Sequence, residues 1–174
     1  MARLVLLIAS FVFSTALAAN KPVMVYVHDS DWNVCVAKKV AKIGQYDTLD
    51  RTHCEQKGMQ MDRQCTGPYD PSEIMKTNDG STISPSTPCS NIICHSSDHY
   101  CTHGMVPVCC NKKHDKALEE ANAAKCPNGG KAAGVGSGSD FNAIFGRQCS
   151  DLICGQGEKC VQVNQYFAKC CGSK

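Results

Sequence analysis

Aromatic side chains are scarce in this chain: they make up 6% of its 174 residues, and Trp32 is the single tryptophan. So little bulky apolar material argues against one large hydrocarbon core as the main source of stability. Charge imbalance is equally slight, since 18 Lys and Arg against 16 Asp and Glu leave a formal net charge of +2. A chain so near neutrality has no global field for nucleic acid or for an anionic membrane, so neither partner is expected. Lys112, Lys113 and His114 form a basic patch too short to change this. No second long apolar run follows the one at the N-terminus, and no Asn-x-Ser/Thr sequon occurs, so membrane insertion and ordinary N-glycosylation are not expected.

Catalytic signatures are missing as well. The glycine-rich run Gly134-Val135-Gly136-Ser137-Gly138-Ser139 has neither the nucleotide-binding nor the serine-hydrolase spacing, and reads as a flexible loop. Asp29-Ser30-Asp31-Trp32-Asn33 opens like a calcium loop, but Val34 stands where that loop needs glycine and Val40 where it needs a bidentate glutamate. A turn or capping role is expected there instead. His95, His99 and His103 recur every fourth residue, which on a helix would align three imidazoles for a transition metal. A segment pinned between Cys94 and Cys101 disfavours a helix, so these histidines are weak metal candidates; no metal and no cofactor are expected.

What the chain does have is sulfur. It carries 14 cysteines, all beyond residue 34. The N-terminus runs from Arg3 through an apolar stretch, Leu4 to Phe13, to the small-residue exit Ala16-Leu17-Ala18. This reads as a secretory signal peptide over residues 1–18, cleaved after Ala18. Secretion places the even cysteine count in an oxidising compartment, where disulfides are expected rather than zinc or reactive thiols. A thiol nucleophile, and with it an enzyme, is therefore not expected.

The cysteines are written twice. Cys65, Cys89, Cys94, Cys101, Cys109 and Cys110 lie 59 to 61 residues before Cys126, Cys149, Cys154, Cys160, Cys170 and Cys171. Cys89-Ser90-Asn91-Ile92-Ile93-Cys94 also matches Cys149-Ser150-Asp151-Leu152-Ile153-Cys154 in residue type at every place. Such self-similarity marks an internal repeat of one disulfide module. Cys35 and Cys54 remain and most simply pair with each other. Alternatively Cys54 opens the first module and Cys65 pairs with Cys35, because Cys54-Glu55-Gln56-Lys57-Gly58 resembles Cys126-Pro127-Asn128-Gly129-Gly130. Within each six-cysteine set the connectivity stays open, except that the adjacent pairs Cys109-Cys110 and Cys170-Cys171 should each reach different partners.

The expected class is small and disulfide-rich: two tandem six-cysteine modules with short β-hairpins, a small α/β N-terminal segment and a linker helix. The boundaries are an N-terminal segment over 19–64, module 1 over 65–110, the helical linker over 111–125 and module 2 over 126–171. Hairpins are expected about His103-Gly104 and Asn164-Gln165, with Pro107 on an edge strand. Residues 66–88 and 127–148 read as long loops, and Ala117 to Ala124 as the helix. Upstream, Pro22–Val27 has strand composition, while Val36, Val40 and Ile43 have helical spacing, so a helix is predicted over 34–43. This N-terminal part is expected to pack on module 1.

Cys126-Pro127-Asn128-Gly129-Gly130, the run from Cys149 through Gly155 to Cys160, and the closing Cys170-Cys171 resemble the lustrin-type and EB-type cysteine-rich repeats of invertebrate, notably nematode, extracellular proteins. The resemblance implies an extracellular interaction or matrix module, sometimes accompanying protease-inhibitor domains, and it carries over no catalytic residue. A secreted, non-enzymatic protein that binds an extracellular protein or matrix partner is the expected function. The rival is a protease inhibitor that presents Lys131 or Arg147 from a disulfide-anchored loop.

Overall fold

The computed structural model describes residues 21–58, 64–69 and 74–174. The segment 1–18, read from sequence as a signal peptide, lies outside them. The chain begins with β1 (Val23–Asp29) and β2 (Val34–Val40), an antiparallel hairpin in unbroken register from Val23 opposite Val40 to Asp29 opposite Val34. The helix predicted over 34–43 is thus corrected to a strand. Val34, Val36 and Val40 are β-branched, and β1 supplies a full ladder of partners, so pairing overrides the apparent helical spacing. The run from Val34 to Ala37 is buried throughout, which hides the alternation a half-exposed strand would show.

The turn between them forms as the Asp29–Asn33 reading predicts. An Asp29 carboxylate oxygen accepts from the backbone N–H of Asp31 at 3.1 Å and of Trp32 at 3.2 Å. Asn33 takes the left-handed conformation, φ +52°, which asparagine tolerates better than most residues. This geometry turns Trp32 inward, where it is 1% exposed. Helix α1 (Arg51–Gly58) follows; its entry is capped by Asp50, whose carboxylate accepts from His53 N–H at 2.8 Å.

Next come β3 (Met75–Thr77), β4 (Ile92–Cys94), β5 (His99–His103) and β6 (Pro107–Asn111), paired as β3 with β4 and β5 with β6. Pro107 begins β6 in a two-stranded ladder, the edge position expected of it. Helix α2 (Lys112–Asn122) falls inside the helical linker read over 111–125, and the Asn111 side chain caps its start by accepting from Lys113 N–H at 2.9 Å. The chain closes with β7 (Gly134–Val135), β8 (Asn142–Ala143), β9 (Phe145–Gly146), β10 (Glu158–Gln162) and β11 (Ala168–Gly172). β9 pairs with β11, and β11 with β10, in a three-stranded sheet.

Seven disulfides staple this frame. Cys35 bonds Cys54; Cys65, Cys89 and Cys94 bond Cys110, Cys101 and Cys109; Cys126, Cys149 and Cys154 bond Cys171, Cys160 and Cys170. In each six-cysteine set the first joins the sixth, the second the fourth and the third the fifth. The adjacent cysteines reach different partners, and Cys65 rather than Cys54 belongs to the first set. The result is a small, disulfide-rich molecule of short antiparallel hairpins and two helices.

The main core unites Trp32, Val34 and Val36 with Ala117 and Ala121 of α2 and with Ala143, Phe145 and Phe167. The N-terminal hairpin therefore packs on the second six-cysteine set and on α2, not on the first set as the sequence suggested. What decides this is where the large apolar side chains are. Phe145 and Phe167 in the second set offer buried rings to the hairpin, with Phe167 at 4.6 Å from Trp32 between centroids, while the first set has no phenylalanine and leaves its tyrosines, Tyr69 and Tyr100, exposed. Lys169 anchors the exit of α2: it is 0% exposed, and its Nζ donates to the carbonyls of Glu120 at 2.8 Å and Ala123 at 2.7 Å. Burial pushes its amine below the ordinary lysine value.

Residues 127–148 are not the flexible loop that their glycines suggested. β7 and β8 pair, and Gly136 at φ +87° makes the turn, where a Cβ would run into the Asp140 carbonyl. Residues 66–88 likewise hold β3 and a tight turn after it. There the hydroxyl and backbone N–H of Ser81, with the Asn91 and Thr77 side chains, hold the Asp79 carboxyl down at about 2. A folded value below the unfolded 3.8 means that Asp79 stabilises this turn above the carboxylate range and loses that contribution as pH falls from 3.8 toward 2. An NMR titration of the Asp79 carboxyl carbon is expected to show the depressed midpoint; a midpoint near 3.8 would mean the turn is not held in this way.

Candidate functional site

The site grows out of the first disulfide set. Cys65–Cys110 ties the segment Gln64–Tyr69 to β6, and Cys94–Cys109 ties β4 to the same strand. Gly67, at φ +83°, lets this segment cross the first turn of α2, since a Cβ there would lie 2.6 Å from the His114 ring. The Gln64 amide reaches the β5–β6 turn, donating to Val106 O and accepting from Met105 N–H, both at 2.8 Å. The segment and the hairpin are thus clipped together at their ends and leave a cleft of about 430 Å³ between them.

The cleft is apolar with a polar floor. Pro68, Tyr69, Met75, Met105, Val106 and Val108 form its walls, with His99, Asn111 and His114 between them. Among the described lining residues none is Asp, Glu, Lys or Arg. Its volume and lining suit a small apolar group or an anchoring side chain better than an ion. Met105 is 74% and Tyr69 82% exposed, an unusual cost for large apolar side chains side by side. Among the described residues the charged groups stay outside the cleft. Lys113 pairs with Asp98 on the surface, and that hydrogen bond lowers the Asp98 carboxyl while raising the Lys113 amine.

The residues singled out from sequence fall elsewhere. His99 lines the cleft and is buried, whereas His103 sits exposed at the far end of β5. Four residues along a strand span about 13 Å, so these two imidazoles cannot share an ion; His95 lies outside the strand, and the three do not converge. Among the described residues no group of three His, Cys, Asp or Glu side chains could hold a metal. Lys131 is exposed, but its backbone is tied down: its carbonyl accepts from Gly172 N–H at 2.9 Å. Arg147 is folded back, its guanidinium 5.4 Å from the Trp32 ring and 5.3 Å from that of Phe167, with Asp29 at 3.5 Å.

Arg147 thus packs against rings, whereas the Lys131 side chain stays exposed. Arg147→Ala is therefore expected to act on stability, lowering it by about 1 kcal/mol through the lost ring contacts. Thermal unfolding of the oxidised protein measures this; an unchanged transition would return Arg147 to the list of presented residues. Sequence reading missed Met105, Val106, Tyr69 and Met75; the shorter spacing between the fourth and fifth cysteines of the first set, 7 residues against 9, was a signal for the first two alone.

No protein-family model, no curated protein and no solved structure matches this chain. No helix among the described residues is long and apolar enough to cross a membrane.

Proposed function

We propose that the chain is a secreted, non-enzymatic extracellular binding or matrix protein, built from two copies of one six-cysteine module and contacting its partner through the first. The observation that carries this reading is the shared bridge order of the two sets, first to sixth, second to fourth and third to fifth. Two segments that pair alike, with Ile92 and Leu152 buried at matching places, are most simply copies. The signal-type N-terminus and seven disulfides fit an oxidising, extracellular setting. The likeness of the second set to lustrin-type and EB-type repeats supports an interaction role. In this reading, bridges replace core: they pre-organise the binding face and lower the ordering cost of association.

The test is secretion followed by binding. Expressed with its own N-terminus in a eukaryotic secretion host, the protein is expected in the medium, beginning at Ala19, with no titratable thiol. The labelled material is expected to bind saturably to deposited extracellular matrix, and Val106→Asp to weaken that binding by about tenfold, as loss of a central apolar contact does. Retention in the cell, several reactive thiols, or matrix binding indifferent to Val106→Asp would each overturn the proposal.

A further inference from the structure

The two hairpins carry the same ladder. Cys101 faces Cys109 as Cys160 faces Cys170, and His103 faces Pro107 as Gln162 faces Ala168. The residues just before the second strand therefore correspond: Val106 to Phe167 and Met105 to Tyr166. Their surroundings differ sharply. Phe167 is 0% exposed, and the Trp32 ring lies 4.6 Å from it and 4.7 Å from Tyr166. Trp32 arrives there on the tip of the β1–β2 hairpin. Val106 is 42% and Met105 74% exposed on the rim of the cleft.

The covered face and the bare one also join. His114 lies 5.2 Å from the Trp32 ring and 5.5 Å from Tyr166, and the same side chain lines the cleft. The cleft is thus continuous with the interface on which the hairpin tip docks. Two residues explain why only one face is filled. The longer second turn lets Asn164 donate to the Ala117 carbonyl at 2.9 Å and to Glu120 at 3.1 Å, which draws that turn onto α2 under Trp32. The shorter first turn is held by Gln64 and, among the described residues, stays open.

We propose that the cleft of the first set receives an aromatic side chain from the tip of a partner protein's loop, as the second set receives Trp32 from within the chain. The inference rests on reading the two sets as copies. The lining, uncharged among the described residues, favours an aromatic tip over an acidic or basic one, and aromatic anchors seated in clefts dominate the energy of many interfaces. A binding face next to a self-covered copy also gives the duplication a purpose: one unit holds the fold and the other meets the partner.

The probe is a cyclised peptide copying residues 27–36 with Cys35 replaced by serine, together with its Trp32→Ala twin, titrated into the ¹⁵N-labelled full mature protein. Saturable amide shifts are expected at Gly67, Met105 and Val106, weakened by about tenfold with the alanine peptide and again in the Val106→Asp protein. Retained amide dispersion of residues 65–110 in the same spectra checks that this variant stays folded. Three results overturn the inference: no saturable shift at those residues, equal binding by the alanine peptide, or equal binding by N-acetyl-tryptophanamide, which would make the cleft a small-molecule site. Self-association abolished by Tyr46→Ala would overturn it in favour of a second copy, since Tyr46 is 87% exposed. Bridge mapping on the same sample separates the two failures: if the first-to-sixth pairing is not found in both sets, the reading as copies fails; if it is found and the peptide does not bind, only the inference fails.

Discussion

Trp32→Ala is expected to lower the stability of the oxidised protein by about 3–5 kcal/mol, the range for deleting a large buried aromatic. Trp32 is 1% exposed and touches four rings or cations at once: His114, Tyr166, Phe167 and Arg147. Truncation removes the side chain that joins the N-terminal hairpin, α2 and the second disulfide set, and the backbone there cannot collapse because Asp29 and Cys35 fix both ends of the turn. Denaturation followed by far-UV circular dichroism, with bridges intact, measures the loss. Trp32→Phe is expected to cost clearly less. The indole Nε1 is buried and makes no hydrogen bond among the described residues, so phenylalanine gives up ring area but no polar partner. Equal losses for the two variants would show that the indole is held by something other than packing.

The cysteine framework could be read from the residues alone, because spacing repeated over 60 positions needs no three-dimensional knowledge. The hairpins could be read from their turn residues and strand composition, and the turn at Asp29 from its run of Asp, Ser and Asn. What could not be read is which unit the N-terminal segment chooses. That depends on Phe145 and Phe167 lying inward together, 5.2 Å apart, a contact between residues 22 positions apart on strands too short to show a period. The β2 strand was misread for a related reason: burial on both faces makes Val34–Ala37 continuously apolar, and a continuous run carries no alternation to separate strand from helix. The glycines of 134–138 signalled freedom, yet in the structure they permit the close backbone approach of β7 to β8. The cleft was hidden because its walls, Tyr69, Met75 and Met105, come from three segments far apart in sequence that bridges, a strand pair and the Gln64 amide bring together.

Removing the outer bridge of each set is expected to give opposite outcomes. Cys65–Cys110 and Cys126–Cys171 both span 45 residues, so on the chain-entropy account each constrains the unfolded chain equally, by about 4 kcal/mol. The folded sides are not equal. Around the second set stand Trp32, Phe145, Phe167 and the buried Lys169, whereas no residue of 65–110 belongs to any buried apolar cluster among the described residues. Cys126→Ala with Cys171→Ala is therefore expected to leave a folded but weakened second unit, its amide spectrum largely retained at 25 °C. Cys65→Ala with Cys110→Ala is expected to collapse the spectral dispersion of residues 65–110 while Trp32 emission stays native. With the segment Gln64–Tyr69 released, binding at Val106 should vanish together with that dispersion. If both double variants kept their first units intact, buried hydrocarbon rather than sulfur would be holding the face that this protein offers to its partner.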